Sequence, residues 1–287
     1  MNTASTSSIL IASAALVAAL GAAPACADSI TVIADCDNTL IQPSPSELSL
    51  GLSHQIYVGR TGSNADQTIR RGLIRFPTAQ IPIGSTVTSV QVNLYMSKGK
   101  GGAVTVALKR CLASWGEGLS FAFGGGGAPP EPNDATWTKR FWPSTSWTTP
   151  GGDFVPAASA TRIVNPEGWY AFGSSAGLVA DVQGWVNATE TNFGWVVTGN
   201  ETTPGTAKRF ESHDTSAIPW KPTMTVVFTP PPPCVAADLN CNGTVDGDDL
   251  GTLLGQWGAC AGCDADFNGD GVVDGDDLGA LLGAWSS

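Results

Sequence analysis

Val90-Gln-Val-Asn-Leu-Tyr-Met96 is the stretch of this chain that most directly decides its fold. Every second residue, starting at Val90, is apolar, and the residues between them carry polar groups. Because successive side chains of a β-strand point to opposite faces, this alternation indicates a strand with one buried face. The same period recurs over residues 104–109 and 224–229. Joined by Gly- and Pro-rich connections, such strands predict an antiparallel, jelly-roll-like β-sandwich.

Further strands are predicted in the same part of the chain, residues 28–229, which we call the β-domain. They are expected at 30–34, 69–76, 192–199 and 206–212. Helical periodicity is scarce, and one short helix is predicted near residues 178–186. A region of about 200 residues is long enough to bury one substantial core.

The C-terminal segment, residues 234–287, contains a tandem repeat. The sequence DLNCNGTVDGDD at 238–249 returns as DFNGDGVVDGDD at 266–277, a period of 266 − 238 = 28 residues. A twelve-residue calcium loop supplies oxygen ligands from positions 1, 3, 5, 7, 9 and 12 and turns sharply at a glycine in position 6, here Gly243 and Gly271. The predicted ligands of two calcium ions are Asp238, Asn240, Asn242, Thr244, Asp246 and Asp249, then Asp266, Asn268, Asp270, Val272, Asp274 and Asp277, with Thr244 and Val272 using their carbonyl oxygens.

The charge of the C-terminal segment agrees with bound calcium. The segment holds ten Asp and no Lys, Arg or Glu, whereas the rest of the chain has 14 basic and 15 acidic side chains. Carboxylates at this density repel one another unless counter-ions offset them. The alternative is a metal-free pair of acidic turns, since Asp, Asn and Gly are also common in ordinary turns.

Each loop is followed by a predicted amphipathic helix. Apolar residues recur at i, i+3, i+4 and i+7, which places them on one face of a helix. They are Leu250, Leu253, Leu254 and Trp257 in the first copy, and Leu278, Leu281, Leu282 and Trp285 in the second. Four prolines at 230–233 form a linker that excludes a helix entering the first loop. We expect the two apolar faces to pack on each other, with both tryptophans in the core.

On these residues, the C-terminal segment resembles a dockerin domain. The resemblance rests on the duplicated loop and its Leu-x-x-Leu-Leu helix over residues 234–287. It implies a small α-helical calcium-binding fold that docks onto a cohesin-like or other surface receptor. Family members often contact their partner through loop positions 10 and 11, which are Gly247-Asp248 and Gly275-Asp276 here. A thrombospondin-type calcium repeat is the competing interpretation, but such repeats lack the Leu/Trp helices.

The N-terminal residues have the features of a secretory signal. Residues 9–23 are almost wholly small or apolar, and Ala25-Cys-Ala27 precedes Asp28 as an A-x-A-like cleavage site. We therefore predict a signal peptide over residues 1–27, a secreted or cell-surface protein, and no transmembrane segment in the mature chain. An uncleaved anchor would need about twenty apolar residues, more than this stretch offers.

Cleavage after Ala27 would remove Cys26 and leave an even number of cysteines, which predicts disulfides in an oxidising compartment. The remaining six are Cys36 and Cys111 in the β-domain, and Cys234, Cys241, Cys260 and Cys263 in the C-terminal segment. Partition by domain suggests one bridge between the first pair and two bridges of undetermined pairing among the other four. A four-cysteine zinc site and a redox-active Cys-x-x-Cys pair are the alternatives.

The β-domain resembles a second family, the DNRLRE domains, which are related to a family of carbohydrate-binding modules. The matching stretches, in family order, are 71–76, 81–90, 114–118, 135–137, 147–154, 181–186, 193–195 and 208–210. The resemblance implies a jelly-roll-like sandwich with a secreted, non-catalytic role in glycan or surface binding. Where the family often has Ser-Arg-Glu, this chain has Ser212-His213-Asp214.

Glycan binding calls for flat apolar rings on which sugar C–H groups can stack. Five aromatic residues in loop-like, Pro- or Gly-flanked sequence are the platform candidates: Trp142, Trp147, Trp169, Tyr170 and Trp220. A glycosidase would instead need two carboxylates flanking the scissile bond. Glu117, Asp134, Glu167, Asp181 and Glu211 are single candidates, and no catalytic constellation is visible around them.

Three functions are therefore weighed. The first is a secreted, non-catalytic glycan- or surface-binding module with a dockerin-like calcium segment, linked to polysaccharide binding or degradation. The second is a small polysaccharide hydrolase or lyase with the same segment, and the third is a structural cell-surface or matrix protein. Nucleic acid is not an expected partner, because the chain carries a net charge of −11 and has no basic patch.

Overall fold

The computed structural model describes residues 27–231 and 233–286. The predicted signal peptide, apart from Ala27, lies outside the described residues, as does Cys26. Within the described ranges, no helix is both long and apolar enough to cross a membrane.

The described part of the chain is mostly β-structure with three short α-helices. The strands are β1 Asp28–Ile33, β2 Cys36–Ile41, β3 Gln55–Arg60, β4 Ile69–Arg75, β5 Thr86–Gly99, β6 Val104–Arg110, β7 Lys139–Phe141, β8 Thr145–Ser146, β9 Ala160–Val164, β10 Gly168–Phe172, β11 Trp195–Thr198, β12 Lys208–Glu211, β13 Thr223–Thr229, β14 Gly258–Ala259 and β15 Val272–Val273. The helices are α1 Ala176–Val186, α2 Gly247–Gly255 and α3 Gly275–Gly283.

Eleven of these strands form one curled antiparallel sheet. Its order is β1-β13-β5-β12-β3-β4-β11-β6-β9, with β10 also paired to β5 and β2 also paired to β4. Strand β3 pairs with β12 on one side and with β4 on the other, so it joins the two halves of the sheet. The prediction of a β-rich, antiparallel fold is confirmed.

The predicted alternation in β5 is confirmed residue by residue. Val90, Val92, Leu94 and Met96 are fully buried, and the residues between them are partly or fully exposed. Strands β6 and β13 bury every second residue in the same way, and α1 covers the same core with four apolar side chains. These side chains belong to the larger of two buried apolar clusters in the β-domain.

Strand β2 was not expected from the sequence, and its surroundings explain why. All six residues of CDNTLI are buried, so the strand shows no alternation between a polar and an apolar face. The polar side chain of Asn38 in this strand is satisfied inside the protein. The Asn38 side chain accepts hydrogen bonds from the Thr39 and Leu50 N–H groups and from the Ser49 hydroxyl, and donates to the Glu117 carbonyl.

The expected bridge between Cys36 and Cys111 is wrong, because both are buried free thiols. Cys36 pairs with Arg75 of β4, β4 pairs with β11, and the Cys111 N–H donates to the carbonyl of Gly194, just before β11. The two cysteines are thus three strand spacings apart, roughly 14 Å at about 4.8 Å a spacing. Bridged cysteines need Cα atoms within about 7 Å.

The C-terminal segment has its own small apolar cluster, and the repeat generates it. Its six buried residues are Ala237 and Ala265, Val245 and Val273, and Leu253 and Leu281. The members of each pair are one period of 28 residues apart, so equivalent positions of the two copies meet in the core. Strands β14 and β15 pair with each other beside the two helices.

Two disulfides close the C-terminal segment and settle the pairing that the sequence left open. They join Cys234 to Cys241 and Cys260 to Cys263. The first bridge ties the start of the segment to position 4 of the first loop. Small domains with few buried residues commonly depend on such crosslinks or on metal ions.

Candidate functional site

The two predicted calcium loops have the same hydrogen-bond pattern. In the first loop, Asp238 accepts hydrogen bonds from the N–H groups of Asn242 and Gly243, at 3.0 and 2.8 Å. In the second, the carboxylate of Asp266 accepts from Asp270 and Gly271, at 3.1 and 2.8 Å. Position 1 therefore folds each loop around its own carboxylate.

The glycines at position 6 adopt the conformation that the loop requires. Gly243 has a φ of 90° and Gly271 a φ of 89°. Residues with a side chain rarely adopt this left-handed region, whereas glycine does so at little cost. The sharp turn needed to bring ligands from both halves of the loop together is thus formed in both copies.

The aspartates at position 12 connect each loop to its helix. Asp249 is fully buried and accepts hydrogen bonds from the N–H groups of Asn240 and Asp246, at 3.1 and 2.9 Å. Asp277 accepts from Phe267 and Asp274 in the same way, and the N–H of Asp274 lowers the pKa of the Asp277 carboxyl. Each completes a capping box that starts its helix.

In neither loop do three of the predicted acidic ligands bring their oxygen atoms close together. Within the described residues, one set of acidic, histidine or cysteine side chains has three donor atoms all within 4.8 Å of one another, and it lies in the β-domain. In the loops, the carboxylates accept hydrogen bonds from backbone N–H groups instead. Asparagine and backbone carbonyl oxygens are not counted in sets of this kind. The calcium ligands stay a prediction.

The helices of the C-terminal segment leave part of their apolar faces exposed. Leu253 and Leu281 are buried as expected, but Trp257 is 49% and Trp285 41% exposed, so their placement in the core was wrong. The reason is the length of the helices, because α2 ends at Gly255 and α3 at Gly283, before the tryptophans. Leu254 and Leu282 are exposed as well.

Two of the five platform candidates meet on the outer side of the β-domain. Trp169 of β10 lies directly opposite Tyr95 of β5, with ring centroids 5.5 Å apart and an edge-to-face orientation. Trp220 stacks face to face on Tyr95, at 4.7 Å and an interplanar angle of 5°. Trp169 and Trp220 are 47% and 41% exposed. We call these three residues the aromatic patch.

A groove lies along each side of the aromatic patch. The first, of about 370 Å³, is lined by Tyr95 and Trp220 together with polar groups that include Glu167 and Arg209. The second, of about 470 Å³, is lined by Trp169 with Asn93, Arg162 and Lys221. Flat rings beside hydrogen-bonding side chains of both charges are the surface chemistry that sugar rings and hydroxyl groups require.

The other three platform candidates do not join the patch. Trp147 is buried, and its indole N–H donates to the Thr136 carbonyl at 2.9 Å, so its prediction as a platform was wrong. Trp142 is half-buried. Tyr170 is also half-buried, and its hydroxyl donates to the Pro166 carbonyl at 2.6 Å. Loop-like flanking sequence did not distinguish these residues from the exposed ones.

Three of the carboxylates considered as catalytic candidates have structural partners. Asp181 contacts Arg110 at 3.3 Å and accepts from the Trp195 indole N–H at 2.8 Å. Asp134 accepts from the N–H of Glu131 at 2.6 Å. Glu211 accepts from the Thr215 hydroxyl. These contacts explain the three side chains as parts of the framework.

Glu117 belongs to a set that the sequence did not bring together, with Asp37 at the start of β2 and His213 after β12. Nδ1 of His213 lies 3.1 Å from Oδ2 of Asp37 and 3.4 Å from Oε1 of Glu117. The hydrogen bond with Asp37 raises the pKa of His213 to about 9, and burial raises the pKa of Glu117 to about 7. The available signal was the histidine in Ser212-His213-Asp214, where the resembled family often has arginine.

Comparison with known proteins adds no family assignment. No protein-family model matches the chain, and no curated protein matches it. The resemblances to dockerin and DNRLRE domains therefore rest on their motifs alone, and function is argued from the chain's own surfaces.

Proposed function

We propose that this protein is a secreted, non-catalytic glycan-binding module, a jelly-roll-like β-sandwich carrying a dockerin-like calcium-binding segment. The aromatic patch carries the glycan part of this proposal. It combines two half-exposed indoles with two grooves that contain hydrogen-bonding groups. The C-terminal segment would attach the module to a cohesin-like or other surface receptor.

The arrangement of the aromatic patch supports sugar binding rather than ordinary core packing. Tyr95 contacts both Trp169 and Trp220, which holds the two indoles in place without covering them. A rigid aromatic surface loses little conformational entropy when a ligand stacks on it. Polysaccharides offer apolar C–H faces for the rings and hydroxyl groups for Arg209, Glu167 and their neighbours.

The C-terminal segment supports a calcium-dependent docking role. Its two loops share one hydrogen-bond pattern, with left-handed glycines at position 6 in both. Its exposed residues are also duplicated, since Leu254 and Trp257 have Leu282 and Trp285 as counterparts 28 residues later. A duplicated apolar surface on a calcium-stabilised fold is suited to a protein receptor.

Affinity electrophoresis through gels that contain neutral or anionic polysaccharides tests the glycan proposal. We expect the chain to be retarded by at least one of hydroxyethyl cellulose, xylan and alginate. Trp169→Ala combined with Trp220→Ala should weaken that retardation by about tenfold, because two stacking contacts of about 0.5–1.5 kcal/mol each are lost and about 1.4 kcal/mol is tenfold in affinity. Phe123→Ala, which removes a 90% exposed ring outside the patch, should change nothing.

The contrary outcomes are equally distinct. Equal retardation of the double variant and the Phe123→Ala variant would show that the patch is not the binding surface. Release of reducing sugar ends from the same polysaccharides would show that the protein is a hydrolase rather than a non-catalytic binding module.

A further inference from the structure

We propose that Asp37, Glu117 and His213 form a binding site for one divalent first-row transition metal ion, separate from the calcium loops. Nδ1 of His213 and one carboxylate oxygen from each acid would be the ligands. In the described part of the chain, this is the set in which three such donor atoms lie within 4.8 Å of one another.

The donor spacings fit such an ion. Nδ1 of His213 lies 3.1 Å from the Asp37 oxygen and 3.4 Å from the Glu117 oxygen. Two ligands that each bind zinc at about 2.0–2.2 Å in tetrahedral geometry are about 3.3–3.6 Å apart. All three donor atoms lie within 4.8 Å of one another, so side-chain adjustment can bring the two acids to the spacing that a bound ion requires.

Asp214 lies where it can prepare the histidine for binding. Its Oδ1 is 3.6 Å from Nε2 of His213, on the ring edge opposite the proposed ligands. Metal-ligating histidines usually direct their other ring N–H to a carboxylate or carbonyl, which fixes the tautomer. With the proton on Nε2, the Nδ1 lone pair faces Asp37 and Glu117.

Two buried carboxylate oxygens without a hydrogen-bond partner are a second, independent observation. The side chain of Asp37 is completely inaccessible, and its Oδ1 has no hydrogen-bond partner in the structure. Asp214 Oδ2 is also buried without a partner. Lys221 directs its Nζ to the backbone carbonyl of His213 rather than to one of these carboxylates. A buried polar atom without a partner is costly, and a divalent cation would supply the partner that these oxygens lack.

The backbone around the cluster holds the ligands in place. The N–H of His213 donates to Asp37 Oδ2 at 2.6 Å, and the N–H of Asp37 donates to Glu117 Oε1 at 2.8 Å. The Glu117 carbonyl in turn accepts from the Asn38 side chain at 2.7 Å. His213 and Glu117 keep 20% and 23% of their side chains exposed, so an ion and a water ligand can reach them.

The donor set selects the class of ion. Calcium requires six to eight oxygen ligands, more than this cluster offers. One imidazole nitrogen with two carboxylate oxygens suits zinc, cobalt, manganese or iron in the divalent state, with solvent completing the coordination. The competing occupant of the same space is a proton on Nδ1, which would form an ion pair with the two acids.

Cobalt(II) titration of residues 28–287 in excess calcium chloride decides between metal and proton. We expect one Co²⁺ per chain, seen as visible d–d absorption, and a higher melting temperature of the β-domain in zinc. His213→Arg should abolish the absorption, since guanidinium can pair with both acids but cannot bind a metal. His54→Gln, which removes the chain's other histidine, should keep it.

Glu117→Gln provides a second test that does not depend on the arginine variant folding. The amide can still accept the Asp37 N–H but is a far poorer ligand, so Co²⁺ affinity should fall at least about tenfold. Absence of visible absorption and of zinc stabilisation in the natural chain would overturn the proposal. Binding by His213→Arg equal to that of the natural chain would overturn it as well.

Discussion

Cys36 and Cys111 show how strongly local packing controls the chemistry of a residue. Both thiols lie in one apolar cluster that also contains Leu40, Leu73 and Trp115. Burial raises the pKa of both thiols, that of Cys111 to about 11. Because the thiolate is the reactive form, neither cysteine should behave as a nucleophile or a redox sensor in the folded protein.

We predict that residues 28–287 react with no equivalent of Ellman's reagent when folded at pH 8, and with two when unfolded in guanidinium chloride. At a pKa of about 11, roughly one Cys111 thiol in a thousand is ionised at pH 8. Reaction of the native chain should begin only as the pH approaches that value. Titration of zero thiols in the unfolded, unreduced chain would show that Cys36 and Cys111 are bridged after all.

At the scale of one element, the start of β11 depends on a single glycine. Gly194 has a φ of +74°, and a Cβ built on it would lie 2.1 Å from the carbonyl oxygen of Ile74. The close approach lets the Gly194 carbonyl accept from Cys111 while Trp195 pairs with Ile74. The glycine therefore keeps β6, β11 and β4 in register.

Gly194→Ala should lower the free energy of unfolding of the β-domain by about 2–4 kcal/mol, from the left-handed backbone and the clash together. Gly205→Ala is the matched control, because Gly205 has a φ of +78° and nothing within 4 Å of its Cβ position. Gly205→Ala should lower the free energy of unfolding by about 1–2 kcal/mol, because it adds only the cost of a left-handed backbone at a residue with a side chain. Urea unfolding measures both, and equal losses would show that the contact with Ile74 is unimportant.

The same scale shows which strands a sequence can reveal. Strand β5 has one face on the core, so its alternation gave both its position and its buried residues. Strand β2 is buried on both faces, and the partners that satisfy Asn38 come from residues 11 to 79 positions away as well as from its neighbour. No local pattern reports such long-range contacts, and the strand was missed for that reason.

For the whole molecule, the two cores are built from different residues. The clusters of the β-domain use residues between Val32 and Phe228, and the cluster of the C-terminal segment uses residues between Ala237 and Leu281. Residues that share a hydrophobic core tend to unfold together. The β-domain and the C-terminal segment should therefore unfold in separate transitions.

We predict that a calcium chelator shifts the transition of the C-terminal segment and leaves that of the β-domain in place. Each bound ion would stabilise the segment by about 4 kcal/mol at a free concentration 1,000-fold above its Kd. Asp238→Ala with Asp266→Ala should mimic the chelator, because both loops lose their first ligand. Calorimetry combined with circular dichroism separates the transitions.

Asp248→Asn is the matched control for this prediction, since Asp248 is exposed and lies outside the predicted ligand positions. It should leave the calcium-dependent transition unchanged. If the chelator altered neither circular dichroism nor the heat capacity trace, the repeat would be a metal-free acidic unit held by its disulfides.

Some candidate sites are built from residues close together in the sequence, and others from residues that only the fold brings together. The predicted calcium loops are contiguous, so spacing alone is enough to propose their ligands. The aromatic patch joins β5, β10 and a turn before β13, and the sequence supplied Trp169 and Trp220 but not Tyr95. Asp37 and His213 are 176 positions apart, and only the folding of β2 against the segment after β12 brings them together.

The bridge between Cys234 and Cys241 has a mechanical consequence. If the β-domain holds a fibre while the C-terminal segment holds a receptor, tension enters the segment through the proline linker. The disulfide transmits the pulling force directly from Cys234 to Cys241, so the residues between them bear no force. About 25 Å of chain is thereby withheld from extension, at about 3.5 Å a residue. The force would then enter the first predicted calcium loop at Cys241, so resistance to stretching would begin inside that loop.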